Sequence, residues 1–159
     1  MNVEERLDEL ERQVADLRAK LLGVAEYCTR VLDQAPRRRA PGPDTEALGL
    51  SDCFTGTRPV AYSLLGERHE VTNFKAILLG VCDALYERHR AEFQRALSLS
   101  GFSRDPGNLG RTGAPHEIAH SGVHVATNRS ANDLMAKCRE LLELFGHSAG
   151  DIEVEVRAR

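Results

Sequence analysis

Between residues 3 and 31 apolar side chains recur at alternating spacings of four and three without a break: Val3, Leu7, Leu10, Val14, Leu17, Leu21, Val24, Cys28 and Val31. A period of 3.5 residues held over about four heptads demands a helix, and it demands a second helix to cover the stripe, because a lone helix would leave it in water. With Leu7, Val14, Leu21 and Cys28 at a, the d positions are Val3, Leu10, Leu17, Val24 and Val31. Arg6 at g then faces Glu11 at the following e of a parallel partner, a favourable charge pairing. The pattern therefore predicts a coiled-coil oligomerisation helix over residues 1–35, with a homodimer as the first expectation. Mixed Leu and Val at a and d also admit three or four strands, and packing back onto the chain's own domain is the rival arrangement.

Pro36 stops this helix. Arg37, Arg38 and Arg39 form a short basic run, and Pro41, Gly42 and Pro43 follow in a composition that cannot continue a helix. Residues 36–58 read as a flexible linker, whose arginines serve either as an arm that tracks phosphates or as plain solvated chain. Residues 44–58 are weakly patterned and suggest no role.

The globular part is expected over 59–159. Val60 to Leu65 suggests a strand or extended lead-in turned by Gly66, and Thr72 or Asn73 caps a helix that buries Phe74, Ile77, Leu78, Val81, Cys82 and Leu85. Ala91 to Leu99 reads as a second helical segment broken by Gly101. Phe102 to Pro106 follows as a short strand or loop, and Gly107 to Pro115 as a glycine-rich connection. From Val123 the chain alternates Val123, Val125 and Thr127 with His124 and Ala126, the signature of a half-buried strand. Ser130 is placed to accept a hydrogen bond from the Asp133 N–H and start a helix. Its stripe is Leu134, Cys138, Leu141, Leu142 and Phe145, and Gly146 supplies the left-handed residue that ends it. Ile152, Val154 and Val156 alternate with charged residues and read as an edge strand. Helices packed on a small antiparallel sheet define an α+β class.

Composition narrows the function classes. A net charge of −3 does not advertise nucleic-acid binding, although residues 97–139 are locally more basic than the rest. No apolar run approaches the ~20 residues of a membrane span. The charged N-terminus is unlike a signal peptide. Cys28, Cys53, Cys82 and Cys138 are scattered, so they read as reduced thiols of a cytoplasmic protein rather than as a zinc ribbon or disulfide framework. His116-Glu117-Ile118-Ala119-His120 matches the H-E-x-x-H pattern of zinc hydrolases, but Gly122 leaves room for little more than one helical turn, so a polar histidine-rich loop is the simpler reading. No phosphate-binding glycine loop or nucleophile elbow is present. The expectation is a protein without catalytic function and without a cofactor or metal.

The turn Thr127-Asn128-Arg129-Ser130-Ala131-Asn132 gathers amides, hydroxyls and a guanidinium at a helix start. Asn matches an adenine edge and Arg a guanine edge, while the same residue types are also ordinary turn and cap formers. Together with Phe74 to Leu78, Ala91 to Ala96, Gly101 to Arg104, Leu134 to Phe145 and Asp151 to Glu153, the run Val123 to Asn128 resembles the DNA-binding domain of the SeqA replication-origin sequestration family over roughly the last hundred residues. The resemblance implies a SeqA-like α+β domain that enters the major groove of double-stranded DNA. It implies Thr127, Asn128, Arg129 and Ser130 as the reading turn and Ser103 and Arg104 as a partner loop; Asn132 joins the candidate DNA-binding residues by its residue type. Where the family's turn carries a second Asn, this chain has Ser130, so the modification state read on the DNA stays open. The resulting expectation is a coiled-coil homodimer that presents two DNA-binding domains in a regulatory or architectural role. A non-enzymatic adaptor that binds proteins through the coiled coil is the alternative, followed by a small zinc hydrolase.

Overall fold

A computed structural model describes residues 3–34 and 42–159. The chain divides into a unit spanning Met1–Arg38 and a unit spanning Arg39–Arg159. The basic run Arg37 to Arg39 lies outside the described residues.

In the first unit, α1 (Val3–Gln34) is one uninterrupted helix. Its outer face is laced by ion pairs one turn apart, Glu9 with Arg12 at 2.8 Å and Asp16 with Lys20 at 2.6 Å. Among the described residues the seam is exposed: Val14 is 45 % exposed and Val3 80 %, with Leu7, Leu10, Leu17, Leu21 and Val24 in between.

Among the described residues the second unit holds two antiparallel sheets and two α-helices. The first sheet is built from β1 (Glu46–Leu48), β2 (Thr57–Leu64), β3 (Glu67–Glu70) and β7 (Ile152–Ala158), in the order β1-β7-β2-β3. β2 and β3 form a hairpin closed by Leu65 and Gly66, both at positive φ (51° and 90°), which matches the right-handed twist of the flanking strands. Pro59 has no N–H to give the ladder, and the β2–β7 register slips between Pro59 and Ala61. The second sheet is β4 (Phe102–Ser103), β5 (Pro115–Glu117) and β6 (His124–Ala126), with β6 in the middle.

Helix α2 (Phe74–Arg88) starts at Asn73, whose side chain accepts the Ala76 N–H at 2.8 Å, and it buries the expected six residues. Helix α3 (Ala131–Leu144) starts at Ser130, which accepts the Asp133 N–H at 3.2 Å. It ends in a Schellman motif: Gly146 at φ 79° donates to the Glu143 carbonyl, and the His147 N–H reaches back to that of Leu142 at 2.8 Å. The two helices and the inner faces of both sheets share one core, which contains Phe54, Ile77, Leu85, Phe93, Met135 and Leu141.

Two sequence expectations need correction. Residues 36–58 are not linker throughout. β1 pairs with β7, and Leu50 and Phe54 are buried at 5 % and 1 % exposure, so the folded unit begins well before residue 59. β7 is an interior strand, flanked by β1 and β2, because β1 covers the edge that it would otherwise present. The helical segment expected after α2 is present, as a 3-10 helix, Phe93–Ser98, that drops Phe93 and Ala96 into the core. Outside the ladder, Arg68 reaches from β3 over β2 and clamps Glu155 of β7 with two bonds of 2.8 Å. That fork satisfies a carboxylate only 6 % exposed.

Candidate functional site: the turn before helix α3

The turn between β6 and α3 is held from beneath by one carbonyl. Gly113 O accepts both the Thr127 N–H at 2.8 Å and the Asn128 N–H at 3.1 Å. Residue 113 has to be glycine, since a methyl group there would overlap the backbone carbonyl of Leu109. Thr127 is 4 % exposed and its hydroxyl donates to the Ala114 carbonyl at 2.7 Å, so it anchors the turn and is not placed to read DNA. Asn132 is similarly committed: its Oδ1 accepts the Phe54 N–H at 2.8 Å and its Nδ2 donates to the Thr55 hydroxyl at 3.1 Å. Both were expected to be readers; in the structure their side-chain polar groups bond Ala114, Phe54 and Thr55.

What the turn shows to solvent is Asn128, Arg129 and Ser130. Asn128 spends one amide hydrogen on the Thr112 carbonyl at 2.6 Å. Its second amide hydrogen and its Oδ1 are left, the donor and acceptor that an adenine N7/N6 edge matches. Arg129 makes no side-chain hydrogen bond or ion pair among the described residues, and neither does Arg111, on the same 110–114 segment that holds the turn. Ser130 serves α3, accepting from the Asp133 N–H and donating to the Asp133 carboxylate at 2.7 Å. That carboxylate occupies the positive end of α3 and compensates the helix terminus from within the chain.

The second expected element lies on β4. Ser103 Oγ accepts the Asp105 N–H at 3.1 Å and shapes the loop, while exposed Arg104 donates to the Gln94 side chain. β4 and the turn are neighbours through β6, where Ser103 is opposite His124. The sequence reading missed Gly113 and Arg111; the run of glycines from 107 to 113 was their only signal.

A pocket of about 180 Å³ opens beside the turn, lined by Ser100, Gly101, Ala126, Arg129, Asp133 and Lys137 among others. Lys137 is already paired with Glu140 at 2.6 Å and Ser100 at 3.2 Å, so the pocket offers little uncompensated charge for an ionic ligand.

The H-E-x-x-H match has no helix. His116 and Glu117 are in strand β5, Ala119 and His120 turn the chain back at φ 45° and 58°, and the Glu117 carboxylate accepts the Gly122 N–H at 3.2 Å. His116 lies opposite Val125 and Glu117 opposite His124, and alternate residues of a strand point to opposite faces, so His116 and His124 are directed apart. Among the described residues no cluster of three or more His, Cys, Asp or Glu side chains could hold a metal ion, and no helix is long and apolar enough to cross a membrane.

No protein-family model, no curated protein and no solved structure matches this chain.

Proposed function

We propose that this protein binds double-stranded DNA through the Asn128-Arg129-Ser130 turn, as a dimer joined by α1, in a regulatory or architectural role. The observation that carries the reading is the turn itself. Its backbone is locked by Gly113 and Thr127, while Asn128 and Arg129 keep base-matching groups free in solvent. A reader needs that combination, because side chains preorganised on a rigid backbone lose little entropy on binding. Arg111 and Arg104 supply the flanking positive charge for phosphates. The resemblance of the last hundred residues to the SeqA DNA-binding domain points the same way, and the uncovered α1 seam supplies the means of pairing. Two weak readers joined in one dimer gain by effective concentration. The free thiols Cys53, Cys82 and Cys138 suit the reducing cytoplasm where such a target would lie.

The same uncovered seam favours one second reading, an adaptor whose α1 takes a helix from another protein. The two are separated by selecting the full-length protein against random duplex pools, unmethylated, hemimethylated and fully methylated. Enrichment of a short motif supports the DNA reading, and the pool in which it arises gives the modification state. Asn128→Ala and Arg129→Ala should each abolish that enrichment with the thermal transition unchanged, and Arg111→Ala should weaken binding across sequences and lower the salt slope by about one. Retained selectivity in both turn variants would remove the turn as reader, and the absence of any shift at low salt would favour the adaptor.

A further inference from the structure

Beside the start of β2, three arginines border one groove. Arg58 of β2 and Arg157 of β7 are directly opposite in the ladder, so their side chains leave the sheet on the same face. Arg159 follows two residues on, its N–H bonded to the Gly56 carbonyl at 3.1 Å. All three are exposed, and none makes a side-chain hydrogen bond or ion pair among the described residues. The neighbouring carboxylates do not relieve them. Arg68 holds Glu155 at 2.8 Å and Glu70 at 3.4 Å, and Asp44 and Glu46, on the β1 side of Arg157, form no ion pair with it. Like charges set directly opposite in an antiparallel pair repel, so Arg58 and Arg157 stand as an uncompensated pair.

The groove measures about 440 Å³ and is completed by Val71, Thr72 and Asn73 among others. β3 ends its pairing at Ala61, and past it the Val71 N–H donates to the Val60 carbonyl at 3.0 Å, so the lead-in to α2 forms the second wall. α2 has no acidic residue in its first turn, unlike α3 with Asp133, and its positive end adds to the charge of the groove.

We infer that Arg58, Arg157 and Arg159 form a second binding groove, separate from the turn, that takes a phosphate oxyanion. Guanidinium forks match phosphate oxygens bidentately, and an anion between Arg58 and Arg157 replaces their repulsion with two attractions. The groove shares one end of the folded unit with the turn. α2 and α3 meet at their C-terminal ends, where His89 and His147 are hydrogen-bonded at 3.0 Å, so both N-termini lie at the opposite end. Phe54 joins them there, its ring edge-on to Phe74 at 5.5 Å and its N–H on Asn132. A duplex seated on the turn has backbone phosphates to offer at this end. That source of phosphate rests on the turn being a reader; a free phosphate compound is the other source of the same chemistry.

The test uses the full-length protein and two probes. Sodium pyrophosphate is titrated against sodium chloride at matched ionic strength with arginine Nε–Hε NMR, and a random-sequence duplex is titrated at stepped salt. The Arg58, Arg157 and Arg159 signals should shift together with pyrophosphate and not with chloride. Replacing both Arg58→Gln and Arg157→Gln should weaken that binding by about tenfold. If backbone phosphate is the ligand, the double variant also lowers the salt slope of duplex binding by about two, with any motif selected by the turn unchanged. Pyrophosphate shifts with an unchanged slope assign the groove to a free phosphate compound. The same shifts in a protein that binds no duplex would sink the turn as reader and leave the groove standing. Absence of a pyrophosphate shift overturns the groove even where the turn selects a motif, as do equal shifts at arginines elsewhere, such as Arg12 and Arg95. The wild-type spectra decide the matter even if the double variant fails to fold.

Discussion

Helices α1 and α3 each carry a single apolar stripe, yet Leu134, Met135, Cys138, Leu141 and Leu142 of α3 are at most 4 % exposed, while the seam residues of α1 from Val3 to Val24 are 45–80 % exposed. The difference is one of period and of neighbours. The stripe of α3 is broad enough to meet α2 and the sheets at once, and its ends are written into the chain by Ser130 and Gly146. The seam of α1 is narrow and strictly 3.5-periodic, a form suited to packing against other helices of the same kind. One stripe is completed within its own unit; under the proposed dimer the other is completed by a second copy of α1.

That contrast can be broken most severely at the seam. Replacing Leu10 and Leu17 with Glu should weaken self-association by at least about a hundredfold, since each buried leucine contributes about 1.5–3 kcal/mol. Sedimentation would read the change, and a native-size oligomer in the double variant would end the coiled-coil reading. Denaturant melts sharpen the comparison: Leu141→Ala should cost the globular unit about 2–5 kcal/mol, whereas Leu17→Ala should leave that unit's transition where it was. Equal losses would mean that the seam is covered by its own chain.

A third change asks how far the order of the globular unit extends into the turn. Gly113→Ala forces the Leu109 carbonyl aside and loosens both bonds to the turn, so a loss of about 1–3 kcal/mol is expected, together with lost DNA selectivity. Unchanged selectivity would show that the turn does not need its support. The mildest probe is thiol labelling in a Cys28→Ser background. Hydrogen bonds from Thr55 lower the Cys53 pKa on an exposed site, while burial raises those of Cys82 and Cys138. Cys53 should therefore react first, and the gap should close in urea; equal rates in buffer would contradict the tight packing of α2 against α3.

What could be read from sequence was what acts within a turn or two of chain. The caps at Asn73 and Ser130, the stop at Gly146 and the buried face of α2 rest on neighbours three or four residues away, and all were legible. Sheet order was not, because β1 is three residues long and its partner β7 lies at the other end of the unit. Leu50 and Phe54 gave no period to read, so a core segment passed for linker. Within the site, Asn128 and Arg129 were named from residue type and from the SeqA resemblance. Thr127 and Asn132 have the same chemistry, but their partners, Ala114 and Phe54, are set by tertiary structure.

The bond from Asn132 to Phe54 has a consequence for how this chain can be cut and rejoined. A fusion or truncation made at residue 59 looks harmless on paper, yet it would sever the plug that anchors the first turn of α3 and strip β7 of its outer neighbour. The exchangeable module, for recombination as for the bench, starts ahead of β1, and the turn before α3 can be transplanted only with the fifteen or so residues that once looked like spacer.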